Sequence, residues 1–109
     1  MAESFEVKIT PRAQQRFEDI LDYLIEKYSF EVAKKVGDRI IQAIYSLEKA
    51  PHRGAIAKGI ISKNHIVYRR ILAGLYRIIY FIEEDSQKVF VVEIHHSKQG
   101  DARLYEDFE

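Results

Sequence analysis

The sequence predicts an α+β fold, and three observations carry that class: an alternating apolar stretch near the N-terminus, two consecutive amphipathic stripes of helical period, and three β-rich runs divided only by short turns. No helix-length crossover separates neighbouring runs, so the C-terminal strands read as an antiparallel meander with the helices packed on one face of the sheet. All 109 residues are read as a single domain.

Phe5, Val7 and Ile9 alternate with Glu6 and Lys8, the period-2 pattern of a strand with one buried face, and this first strand is expected to join the later sheet. Thr10-Pro11 then marks a helix start. The threonine hydroxyl can accept a free backbone N–H, and proline suits the first turn. Ala13, Phe17, Ile20, Leu21, Leu24 and Tyr28 recur at three- and four-residue steps and form the apolar stripe of helix one. Ser29 offers a second N-cap. Ala33, Val36, Ile40, Ala43, Ile44 and Leu47 repeat the spacing as helix two until Pro51 ends the run. So short a connection predicts an antiparallel hairpin.

From Pro51 to Asn64 the chain is Gly-containing and weakly periodic, which predicts a loop with a short strand around Ile60 and Ile61. The meander follows as Ile66 to Leu72, Leu75 to Glu83 and Lys88 to His95. Its middle strand is apolar on both sides: Tyr76, Ile78, Tyr80 and Ile82 alternate with Arg77, Ile79 and Phe81. Two explanations fit: a partner covers the face away from the helices, or the monomer buries both.

Hydrophobic residues make up 47% and charged residues 31%, a balance that supports a buried core. The chain has no cysteine, which removes disulfides, thiol nucleophiles and thiolate metal sites and is compatible with a reducing cytoplasm. Met1 to Glu6 show no secretory pattern, and no run approaches the roughly 20 apolar residues of a membrane helix, so a cytoplasmic protein without a membrane partner is expected. Net charge is zero but strongly segregated. Between Lys49 and Ile82 there is no Asp or Glu, while Lys49, Arg53, Lys58, Lys63, Arg69, Arg70 and Arg77 are all basic. Such a block makes one positive surface for phosphates or an acidic protein, or else a set of solvated loop cations.

No phosphate loop, zinc signature or nucleophile elbow occurs, and neither a metal nor a cofactor is expected. His95 and His96 end a strand, where successive side chains point to opposite faces, so as regular strand residues they cannot both serve one site. Metal-free RNA cleavage needs a base, an acid and cations on the phosphorane. Arg77 with Arg69 or Arg70 can hold phosphate, and His95 or His96 with Tyr105 can move protons. The structural alternative pairs strand arginines with cross-strand carboxylates such as Glu93 and packs Tyr105 against the body.

The order strand, helix hairpin, loop and meander resembles the RelE/ParE toxin superfamily across nearly the whole chain. Val7-Lys8-Ile9-Thr10-Pro11-Arg12-Ala13 resembles its opening strand and helix start, and Leu47 to Gly54 resembles the Leu-x-x-x-Pro-x-x-Gly that closes helix two. Tyr76-Arg77-Ile78-Ile79-Tyr80 is similar to its Tyr-Arg-hydrophobic-hydrophobic-Tyr strand, with Ile94-His95-His96 ending the last one. The resemblance implies a growth-inhibiting toxin neutralised by a cognate antitoxin in a hetero-oligomer.

RelE-like members cut messenger RNA in the ribosome with scattered Arg, Lys, His and Tyr residues, whereas ParE-like members inhibit DNA gyrase. Arg77 matches an arginine found in both branches. RNA-cleaving relatives often place another arginine after the last strand, where this chain has Ser97 beside Lys98; His95 or His96 would substitute. Tyr105 resembles a C-terminal catalytic tyrosine, but Glu106, Asp107 and Glu109 around it would repel RNA. Arg69, Arg70 and Lys98 are the expected target-binding cations. The long hairpin and the opening motif resemble the ParE branch, so gyrase inhibition is expected; the alternatives are messenger RNA cleavage and a non-toxic antitoxin-binding module.

Overall fold

The computed structural model describes residues 4–60 and 64–98. β1 (Glu6–Ile9) leads into α1 (Pro11–Lys27) and α2 (Phe30–Tyr45), then two short 3-10 turns at Ser46–Glu48 and Pro51–Arg53. β2 (Ala55–Ile56), β3 (Arg69–Ala73), β4 (Tyr76–Glu83) and β5 (Lys88–His96) complete a five-stranded sheet of order β1-β5-β4-β3-β2.

Both predicted caps form. Thr10 accepts from the Ala13 N–H at 3.2 Å and Ser29 from the Val32 N–H at 3.1 Å, so each helix starts at the next residue, Pro11 and Phe30. Tyr28 is the C-cap of α1, beyond its last regular turn, and is exposed rather than part of the buried stripe. The helices approach closely at Gly37. A Cβ there would lie 3.0 Å from Leu21 Cδ2, so the small residue sets the hairpin spacing.

β3, β4 and β5 form the expected antiparallel meander. β1 pairs parallel to β5, making the sheet mixed, because the helix hairpin intervenes and returns the chain to the opposite end of the sheet. The extra short strand is Ala55–Ile56, upstream of the predicted Ile60, and pairs with Arg69 and Arg70. Ile61 lies outside the described residues.

Two apolar clusters sandwich the sheet. The larger joins Ala13, Ile40, Ile44 and Leu47 to Ile71, Ile78, Tyr80, Val89, Val91 and Ile94, between helices and sheet. On the far face Ala57 and Tyr68 close over Ile79, with Ile60, Ile66, Phe81 and Val92 packed around them. The connection between β2 and β3 therefore covers the second apolar face of β4. The monomer supplies that cover from its own chain.

Candidate functional site

The expected cations fall on different parts of the sheet. Arg69 is in register with Tyr80, and its Nη1 donates to the Gly54 carbonyl at 2.9 Å, tying β3 to the chain before β2. Arg70 is in register with Ile79, and Leu72 with Arg77, so strand alternation puts Arg70 and Arg77 on the face away from the helices. Arg77 is in turn the register partner of His95. Directly opposed side chains of this kind have Cβ atoms about 5 Å apart, so the two side chains leave the sheet side by side on one face. His95 is nevertheless only 3% exposed. Lys98 lies beyond β5, where its backbone N–H donates to His96 Nδ1 at 3.1 Å. Tyr105 lies outside the described residues.

Glu93 does not pair with Arg77. Its carboxylate is fully buried and is held from α1, Oε2 by Arg12 Nε at 3.1 Å and Oε1 by Arg16 Nε at 3.0 Å. The Ile94 N–H also donates to Oε1, at 3.1 Å. The register of β4 and β5 is irregular just before Glu93. Tyr80 faces Val91 whereas Ile79 faces Glu93, so Val92 is an extra residue in β5 and the strand twists there. β1 has also ended: the Thr10 N–H makes its bond to the Val91 carbonyl at 3.0 Å, and from Val92 onward α1 is the neighbour of β5. Arg12 and Arg16, four residues apart on one helix face, reach the carboxylate from that side.

Between α1 and the end of β5 lies a cleft of about 370 Å³ lined by Arg16, Asp19, Ile20, Tyr23, Tyr76, Ile94, His95 and His96. Both histidines border it, although as register partners of Arg77 and Tyr76 they point to opposite faces of the sheet. The cleft runs along the end of β5 that β1 leaves uncovered, so residues on both faces of the strand contribute to its wall. His96 packs edge-on against Tyr76, ring centres 5.3 Å apart. Burial and the neighbouring Tyr23 and Tyr28 phenols raise the Tyr76 hydroxyl above the usual value of 10.0, so it stays a neutral donor at physiological pH. Tyr76 also lines a second groove, about 460 Å³, with Val32, Lys35, Val36, Arg39, Ala73, Gly74 and Leu75.

The Leu47-to-Gly54 motif and the Tyr76-to-Tyr80 strand form one structural clasp. The Tyr80 hydroxyl donates to the Pro51 carbonyl at 2.7 Å and accepts from the Gly54 N–H at 3.0 Å, both bonds buried. A Cβ on Gly54 would lie 2.2 Å from that hydroxyl, so only glycine fits. Burial raises the Tyr80 pKa above 10.0, opposed by the Gly54 N–H and the nearby Arg69 and Arg53 charges. These motif residues serve packing.

Arg12, Arg16 and Glu93 were not predicted as a unit. Arg12 and Arg16 share a helix face at i and i+4, a visible signal, but nothing in the periodicity announces that β1 ends opposite Val91 and leaves α1 beside Glu93. Among the described residues no cluster of three His, Cys, Asp or Glu could hold a metal ion, and no helix is long and apolar enough to cross a membrane.

The family model of the ParE toxin of type II toxin–antitoxin systems (parDE) matches residues 7–100. No curated protein sequence matches the chain. Among solved structures, the fold is similar to one from the chromosomal ParDE system of P. aeruginosa, with a TM-score of 0.69 at 16% identity, covering 87% of this chain and 98% of that one. It is also similar to one from the RelBE2 toxin–antitoxin complex of Mycobacterium tuberculosis, with a TM-score of 0.60 at 15% identity, covering 88% and 94%. A third is from the archaeal RelE-RelB complex of Pyrococcus horikoshii OT3, with a TM-score of 0.60 at 14% identity, covering 89% and 99%. At such identities these likenesses establish a shared fold and no more.

Proposed function

Since this chain belongs to the ParE toxin family of type II toxin–antitoxin systems, we propose that it inhibits growth by acting on DNA gyrase and is held inactive by a cognate antitoxin. The observation that carries the choice of target is the burial of His95. Metal-free RNA cleavage needs a proton-transfer group within about 3 Å of the substrate hydroxyl or leaving oxygen. At 3% exposure the imidazole beside Arg77 is withdrawn from a polynucleotide. The far sheet face, where Arg70 and Arg77 lie, is partly closed by Ala57 and Tyr68. Arg69 is engaged with the Gly54 carbonyl. A protein target makes no demand for a proton-transfer pair, only for a shaped surface.

Ribosome-dependent messenger RNA cleavage is the second reading, favoured by one observation: Arg77 and His95 are register partners, a cation next to an imidazole. A third, a non-toxic antitoxin-binding module, predicts no growth defect on induction. The purified chain decides between the first two. It should block supercoiling of relaxed plasmid by gyrase at near-stoichiometric ratio and leave messenger RNA intact on programmed ribosomes. Cleaved message with normal supercoiling would replace this reading by the second.

A further inference from the structure

The geometry points to the cleft between α1 and the end of β5 as a receptor for a carboxylate carried by a partner polypeptide, with Arg16 as the anion-binding group and Glu93 positioning it. The inference rests on the reading that the chain has a protein partner. Arg16 is held at one nitrogen only. Its Nε donates to Glu93 Oε1 at 3.0 Å, and among the described residues that is its one bond, so both terminal amino groups are directed elsewhere. A guanidinium has five N–H donors in a rigid fork, and fixing the inner one aims the outer pair without further entropy loss. The side chain is 43% exposed on the wall of the cleft. Glu93 is locked in turn by Arg12 and by the Ile94 N–H, so one carboxylate is shared between two guanidinium groups and leaves net positive charge on the pair.

The surroundings select a peptide carboxylate over a nucleic-acid backbone. Ile20, Ile94 and the rings of Tyr23 and Tyr76 give the cleft an apolar body. Asp19 also borders it, its Oδ1 accepting from Gln15 Nε2 at 2.9 Å, so the cleft has room for a single anionic group at Arg16 and not for a run of phosphates, which would meet that charge. Past Tyr76 the second groove continues with apolar Val32, Val36 and Leu75, and Lys35 and Arg39 add positive charge. Exposed Tyr23, Val32 and Leu75 line the two depressions. The complementary ligand is therefore an amphipathic segment that places a Glu or Asp against Arg16 and an apolar side chain in the second groove.

The test is a fluorescence-anisotropy titration of the full chain with a labelled, capped hexapeptide, Leu-Leu-Ala-Glu-Phe-Leu, and with its Glu-to-Gln counterpart. The acidic peptide should bind about tenfold more tightly, the equivalent of ~1.4 kcal/mol. Arg16→Ala should erase that preference. Glu93→Gln should reduce it without changing affinity for the glutamine peptide, the mark of a residue acting through Arg16. Should Glu93→Gln fail to fold by circular dichroism, Arg16→Lys decides: it keeps the charge, loses the fork and should bind the acidic peptide several-fold less tightly. Equal binding of the two peptides, no binding up to millimolar concentration, or an Arg16-dependent preference for single-stranded RNA would overturn the proposal. Gyrase assays on the unaltered chain are a separate readout, so the target reading can fail while the receptor stands.

Discussion

At Gly54 the backbone N–H, the Tyr80 hydroxyl and the Pro51 carbonyl form one buried chain of hydrogen bonds, and a methyl group has nowhere to go. Gly54→Ala is expected to cost about 1–3 kcal/mol in urea unfolding, because the new Cβ meets both the phenol oxygen and the Arg70 carbonyl. Tyr80→Phe leaves an N–H and a carbonyl buried without their partner, a loss of about 1–3 kcal/mol for each group. It should also change the alkaline limb. Because burial raises the folded Tyr80 pKa above 10.0, its contribution is complete below pH 10 and is lost as pH rises through the folded value. Tyr80→Phe should therefore lose stability less steeply above pH 10 than the unaltered chain. The residue types of this clasp were legible as two separate motifs. Their meeting was not, because 26 positions separate Gly54 from Tyr80 and no local pattern records a tertiary hydrogen bond. His95 and His96 do alternate, as register partners of Arg77 and Tyr76, and they border one cleft only because β5 runs on past the end of β1.

Helix boundaries were the most readable elements, since Thr10 and Ser29 state in local chemistry where the backbone donors need an acceptor. The two caps differ in what else they do. Thr10 Oγ1 also donates to the Val91 carbonyl at 2.9 Å, joining the start of α1 to β5, whereas the Ser29 cap is exposed at the hairpin turn. Thr10→Ala should accordingly cost about 1–2 kcal/mol and Ser29→Ala about 0.5–1 kcal/mol, compared by chemical denaturation. Equal losses would show that the tie to β5 contributes nothing. The direction of β1 was not readable, because period-2 alternation is the same for parallel and antiparallel pairing. β2 was placed five residues too late for a related reason: Ala55 and Ile56 carry no alternation of their own and become a strand only because Arg69 and Arg70 lie opposite.

On the scale of the whole molecule, the two apolar faces of β4 were visible in the sequence, but not what covered the second. Ala57, Ile60, Ile66 and Tyr68 do so, and each is unremarkable in a weakly periodic segment. The acid-free stretch from Lys49 to Ile82 is likewise partly absorbed within the fold. Arg53 Nη2 donates to Ser46 Oγ at 2.7 Å and Arg69 to the Gly54 carbonyl, which weakens the case for a single phosphate-binding surface. On the side where the hairpin meets the sheet end lie two adjoining depressions and exposed aromatic rings. A molecule arranged this way is suited to engaging proteins. The most direct measurement is induction of the chain in bacteria without an antitoxin, following labelled thymidine and labelled amino acid incorporation together. Gyrase inhibition predicts that thymidine incorporation stops first and that cells filament; arrest of protein synthesis first would contradict it and make Arg77 and His95 the residues to mutate.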